Sequence, residues 1–186
     1  MSKSKGKARA KANKKARLKR KNDFFERRKR VLSSIRKWDD EILTKKCEKV
    51  EEWEDVSAVI QELKTVLRVS RNGVGLAASQ LSHLKAVVAI RPDVKKNDIR
   101  ILINPEIIEK GEETAEIKEG CLSYPSFYTK TRRHTKIKVS YWDEDKKKHE
   151  EEFTGTEAVI VQHEYDHTIG ICLVRTAWEK VKNNKG

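Results

Sequence analysis

Gln162-His163-Glu164-Tyr165-Asp166-His167 is the stretch that decides how this chain reads. Two histidines stand four apart, with a glutamate directly after the first. On a helix, residues four apart differ by only ~40° around the axis, so both imidazoles share one face. Two such rings can hold one divalent cation, and the carboxylate beside them can handle the proton of a nearby water. The spacing predicts a helix over 157–168, with Thr154-Gly155-Thr156 offering an N-cap and Gly170 ending it. A helix built this way points to a metallohydrolase.

Working back from that helix, strand-like runs occupy 86–90, 99–103, 136–142 and 148–153. Asp143-Glu144-Asp145-Lys146 bridges the last pair as a hairpin turn. Before them lies a glycine-bracketed segment, Gly73-Val74-Gly75-Leu76-Ala77-Ala78-Ser79-Gln80. Apolar residues at three-to-four spacing predict one helix over 23–46 and another over 50–69, the second with Trp53, Val56, Ile60, Leu63 and Leu67 on its apolar face. Strands followed by one buried helix imply an α+β domain and exclude a doubly wound sheet.

The charge is divided unevenly. Residues 1–37 hold 17 Lys and Arg against Asp23 and Glu26, whereas the rest holds 25 bases against 27 acids. A near-neutral domain therefore follows a strongly basic extension. The first 22 residues cannot bury enough apolar area to offset their ordering entropy and are expected to be disordered in isolation. The expected division is a basic extension over 1–48, disordered then helical, and a catalytic domain over 49–186. Lys and Arg without interleaved aromatics suit phosphate neutralisation, so residues 1–37 are a candidate arm for ribosomal RNA. No apolar run approaches the ~18 residues of a membrane span, and no membrane partner is expected. Cys47, Cys121 and Cys172 are too few and too scattered for a disulfide framework, which fits a reducing cytoplasm. Cys47 and Cys172 read as structural or surface thiols.

Hydrolase sites of the zinc type use three protein ligands and keep one position open. No histidine follows His167, and Glu179 is the only later acid, so the third ligand should lie upstream. Cys121, in the Glu119-Gly120-Cys121-Leu122-Ser123 turn, is the best candidate.

GVGLAASQ at 73–80, EGCLS at 119–123 and QHEYDH at 162–167 stand in the order and approximate spacing of the peptide deformylase motifs. Over roughly residues 50–175 the chain closely resembles that family. The resemblance implies small mixed or antiparallel sheets packed around a central metal-binding helix, here with a helical basic N-terminal extension. It makes Cys121, His163 and His167 the ligands of one divalent metal. Fe²⁺ is implied in the cell, and Zn²⁺, Ni²⁺ or Co²⁺ suit the same donors. It makes Glu164 the general acid/base, and Gln80 with the backbone N–H of Leu122 the oxyanion donors. Val74, Gly75 and Gly120 would pair with the backbone of an N-formylmethionyl peptide like an added strand. Val159 and Ile160 would line the pocket for its methionine-like side chain, while Glu119 and Arg133 would pair behind the site. The chain departs from the pattern at Ser79, where many members have proline, and at Tyr128, where some have arginine.

A second reading is a catalytically silent deformylase-like protein that binds RNA or the ribosome and holds a purely structural metal. Glu164 and Gln80 weigh against it, because a structural site needs neither.

Overall fold

The computed structural model describes residues 2–52, 54–96 and 98–172. Two compact units divide between Ser34 and Ile35. The first is a single helix, α1 (Ser2–Leu32). It runs through residues 2–22, where composition predicts disorder in isolation, and stops well short of residue 46. The stop has a local cause. The hydroxyls of Ser33 and Ser34 donate to the carbonyls of Arg30 (2.7 Å) and Val31 (2.8 Å), competing with continued helical bonding.

In the second unit, residues 35–50 form an irregular strap with one 3₁₀ turn, Glu41–Thr44. Asp40 caps that turn, its Oδ1 accepting from the Ile42 N–H at 3.0 Å. Ile35, Leu43, Cys47 and Val50 are all buried. The apolar spacing that predicts a helix over 23–46 therefore seats a strap instead. This burial places the division at 34/35 rather than at 48/49. Helix α2 (Ser57–Val69) buries Ile60, Leu63, Val66 and Leu67 at the predicted spacing; Trp53 lies outside the described residues.

The strands are β1 (Gly75–Ala77), β2 (Val87–Ile90), β3 (Arg100–Lys110), β4 (Thr114–Cys121), β5 (Tyr124–His134), β6 (Lys136–Trp142) and β7 (Lys148–Thr154). Five form one antiparallel sheet in the order β1-β2-β3-β6-β7, and β4 pairs with β5 in a separate hairpin. All four predicted strands are present, as β2, β3, β6 and β7. The β3–β6 register slips between Ile103 and Glu106, where Pro105 has no N–H to give the ladder. Asn104, at φ 51°, uses the break to hold the strap: its amide accepts from Val50 N–H (2.8 Å) and donates to Val50 C=O (2.7 Å).

Helix α3 (Gly155–Thr168) begins two residues before its predicted start. Thr154 takes the N-cap position without a side-chain cap bond, so the expected hydroxyl cap is not made. Ala158, Ile160 and Val161 join Val88, Leu102, Val139 and Phe153 in one buried cluster against the sheet. Gln162, Glu164 and His167 are buried as well, so α3 is enclosed on its polar side too. The architecture is α+β, antiparallel sheets around one buried helix. Gly170 ends α3 at φ 76°, and a Cβ there would meet the Thr44 carbonyl oxygen at 2.5 Å. Among the described residues, no helix is long and apolar enough to cross a membrane.

Candidate active site and metal centre

Five elements bring the predicted residues together. The end of β4 supplies Glu119, Gly120 and Cys121. Strand β5 supplies Arg133, and α3 supplies His163, Glu164 and His167. Strand β1 and the 3₁₀ turn after it, Ala78–Leu81, supply Gly75 and Gln80. A cavity of about 430 Å³ opens among them. All five candidate substrate residues, Val74, Gly75, Gly120, Val159 and Ile160, line it. Gln80, Cys121, Leu122, His163 and Glu164 line it as well, whereas His167 does not.

The sulfur of Cys121 lies 3.4 Å from Nε2 of His167. The rings of His163 and His167 are 5.2 Å apart between centroids. Nδ1 of His163 donates to Oε2 of Glu119 at 2.7 Å. The direction of that bond follows from Glu119. Burial opposes its charge, but hydrogen bonds from His163, Arg133 and Thr131 outweigh this and lower its pKa to about 2. A carboxylate so ionised only accepts, which leaves the lone pair of His163 on Nε2. Burial lowers the pKa of His167 to about 3, so that ring is neutral, the form that binds metals. Nδ1 of His167 is buried without a hydrogen-bond partner among the described residues. A thiol sulfur beside Nε2 of a neutral His167, with Nε2 of His163 left over by the Glu119 bond, is a donor set that fits a soft-to-borderline divalent ion. A hydrogen bond that the Cys121 thiol gives to Cys172, together with burial, pushes that thiol well above its usual range.

Glu164 is buried and its Oε2 has no partner among the described residues. Burial raises its pKa to about 7. Gly75 makes room for this side chain: a Cβ there would meet Glu164 Oε1 at 2.2 Å, closer than any real contact. Gln80 is fixed at both ends. Its carbonyl accepts from the Ala77 N–H at 2.9 Å. Its amide donates to Ser123 Oγ at 2.9 Å and faces Cys121 Sγ at 3.4 Å.

Behind His163, Arg133 grips Glu119 with two bonds, Nε to Oε1 at 2.6 Å and Nη2 to Oε2 at 3.0 Å. Its remaining Nη1 donates to Asp166 Oδ2 at 2.6 Å. Thr131 also donates to Glu119. The sequence left Asp166 without an assigned role; the structure makes it the second anchor of Arg133. Gln162 ties α3 to β5, donating to the His134 carbonyl (2.8 Å) and accepting from its N–H (3.1 Å). Both lie inside the Q-H-E-x-D-H motif, which was the available signal. Cys172, read as a structural or surface thiol, is buried and stands with Cys121 and His167 in a group whose donor atoms lie within 4.8 Å of one another.

The sequence model of the polypeptide deformylase family matches residues 32–183. Peptide deformylase 1 of Clostridium perfringens is 38% identical over 145 residues, covering 77% of this chain and 97% of that protein. The crystal structure of peptide deformylase from Thermotoga maritima is 33% identical, with a TM-score of 0.70 over 75% of this chain and 93% of its own. A Met-Ala-Ser-bound deformylase structure from Acinetobacter baumannii is 31% identical, with a TM-score of 0.68 over 75% of this chain and 94% of its own. With the family sequence pattern spanning both the sheet and the helix that frame this cavity, the chain belongs to the peptide deformylases, metal-dependent enzymes that hydrolyse the formyl amide at the N-terminus of peptides.

Proposed function

We propose that this chain takes the formyl group from the N-terminal methionine of nascent peptides, releasing formate and a free amine, with the residues named above in the following roles. The observation that carries the assignment is the convergence of Cys121, Gln80, His163 and Glu164 on one cavity, with the neutral ring of His167 against the Cys121 sulfur. Cys121, His163 and His167 would hold one divalent ion. When bound, that ion supplies Lewis acidity, lowering the pKa of a water and polarising the formyl carbonyl.

The remaining work falls to the chain. Glu164, poised near neutrality, takes a proton from the attacking water and returns it to the leaving nitrogen. One N–H of Gln80 is committed to Ser123; the other donates to the Cys121 sulfur and would turn from it to the forming oxyanion, joining the Leu122 N–H. Val74, Gly75 and Gly120 offer backbone to an extended peptide, and the glycines permit the close approach that an added strand requires. Val159 and Ile160 wall the cavity one turn before His163, where an apolar methionine side chain fits. The Met-Ala-Ser complex of the Acinetobacter baumannii protein supports a peptide beginning with methionine. Formate should be released from formyl-Met peptides and not from acetyl-Met controls. Equal cleavage of both would assign a general amidase, and cleavage of neither would restore the silent, RNA-binding alternative.

Helix α1 supplies the partner. Residues 2–32 carry 15 Lys and Arg against two acids, and the other 27 bases of the protein are matched by 27 acids. The whole net charge of +13 therefore resides on one helix. Large apolar side chains are confined to its second half, among them Leu18, Phe24 and Phe25, so it has no continuous face for a membrane surface. Peptides reach a deformylase as they leave the ribosome, and ribosomal RNA is the polyanion at hand. Co-sedimentation of the full chain with ribosomes should weaken steeply with salt, and a variant lacking residues 1–34 should lose it at low salt while still releasing formate. Unchanged sedimentation after the deletion would reject α1 as the arm.

A further inference from the structure

Strand β4 is paired along one edge, by β5, and residues of its end line the cavity. Its two faces differ. Ala115, Ile117 and Glu119 turn inward, and Glu119 meets His163 of α3. Glu116, Lys118 and Gly120 turn outward and are exposed. Residues directly opposite in an antiparallel pair share a face, so Tyr128, the register partner of Gly120, stands on the outer side as well.

Lys118 and Tyr128 line the cavity beside Gly120, yet deformylation as derived above makes no use of either. The Tyr128 ring lies over Gly120, where a Cβ would meet its Cε1 at 2.7 Å and its Cδ1 at 2.9 Å. Nζ of Lys118 stands 5.2 Å from the centre of the same ring. Among the described residues no carboxylate pairs with Lys118, while the nearby Glu116 is taken by Lys130 at 2.6 Å. Tyr128 is 58% exposed. The result is an open aromatic plate with a cation at its edge.

The pleat of the peptide brings a side chain to this plate. Successive residues of an extended strand point to opposite faces. With the methionine side chain turned inward to Val159 and Ile160 of α3, the side chain of the second residue turns outward, onto the face of Tyr128 and Lys118. We propose that Lys118 and Tyr128 form a subsite for this second residue and select an acidic one, aspartate or glutamate, whose methylenes lie on the ring while its carboxylate reaches the ammonium. The proposal rests on the placement of the formyl-Met peptide under Proposed function. A lysine or arginine in the same place meets a like charge.

The test compares formyl-Met-Glu-Ser with formyl-Met-Lys-Ser on the full-length, metal-loaded protein. The ratio of kcat/KM should favour the glutamyl peptide about fivefold, mainly through KM, and should fall towards one as salt is raised, because the pair is exposed. Lys118→Glu should invert the ratio. Tyr128→Ala should raise KM for the glutamyl peptide by about threefold. Each ratio is taken within one protein, so a loss of folded or metal-loaded enzyme cancels. Equal kcat/KM for the two peptides in the wild type overturns the proposal. So does a glutamyl preference that survives Lys118→Glu, or an unchanged KM in Tyr128→Ala. Formyl-Met-Ala-Ser separates the two levels of the argument. Formate released from it without discrimination between the other two rejects the subsite alone, whereas no formate from any of the three withdraws the deformylase assignment with it.

Discussion

Replacing Glu164 with alanine should lower formate release by about 10²–10⁴-fold while leaving the bound metal in place. The expectation comes from what surrounds the carboxyl group. Glu164 is buried, its Oε2 meets no donor among the described residues, and burial holds its pKa at about 7. A carboxyl at that value exists in both protonation states at neutral pH. It can therefore accept a proton from water in one step and give it to an amine in the next. Neither neighbouring carboxylate is placed for this. Glu119 is held ionised by Arg133, Thr131 and His163, and Asp166 is spent on Arg133. The metal should stay because Glu164 touches none of the three candidate ligands through a hydrogen bond in this structure, whereas Glu119 does. Glu164→Gln, which keeps the shape and removes the titration, should be nearly as inactive. Metal content by elemental analysis, alongside formate release, checks both halves. Turnover equal to the wild type would remove Glu164 from the reaction.

Much of this centre was legible in the chain because its parts are local. The H-E-x-x-H spacing fixes the relation of His163, Glu164 and His167 as soon as the segment is helical. The strands that carry alternating or continuous apolar residues, β2, β3 and β6, also declared themselves, and β7, polar except for Phe153, was legible from the hairpin turn before it. The hairpin β4–β5 did not. Its sequences, TAEIKEGC and YPSFYTKTRRH, are mostly polar, and most of their residues are exposed or half-buried, so no buried face imposed a readable period. The strap from Ile35 to Val50 misled for the opposite reason. Its apolar residues recur at helical spacing, yet they plug the fold one by one from an irregular chain. Cys172 was illegible because its place depends on a turn at Gly170 and on contact with β4, 51 residues earlier in the chain at Cys121. Local pattern cannot report a contact of that kind. Arg133 and Asp166 show the intermediate case. Each stands near a motif, but only the fold reveals that one guanidinium bridges both carboxylates.

That bridge carries the second large effect. Glu119→Ala should destabilise the protein by about 3–5 kcal/mol, because it leaves a buried guanidinium with half its partners. Glu119 and Arg133 have side-chain exposures of only 5% and 7%. Solvent therefore cannot replace the lost carboxylate, and Asp166, at 17%, already uses its own bond to Nη1. The same substitution frees the His163 ring, whose Nδ1 proton is given to Glu119 at 2.7 Å. A ring free to rotate or change tautomer binds metal less well, and loss of such an outer partner typically costs about 10–100-fold in affinity. Two measurements separate the effects: urea unfolding for the ion pair, and chelator competition on the folded protein for the histidine. Glu119→Gln sharpens the distinction. Its amide oxygen can still accept from His163, so metal affinity should recover in part, but its neutral side chain cannot balance Arg133, so most of the stability loss should remain. If Glu119→Ala unfolds at the wild-type urea concentration and holds metal as tightly, then Asp166 alone suffices for Arg133, and the orientation of His163 is set by the packing of α3 rather than by Glu119.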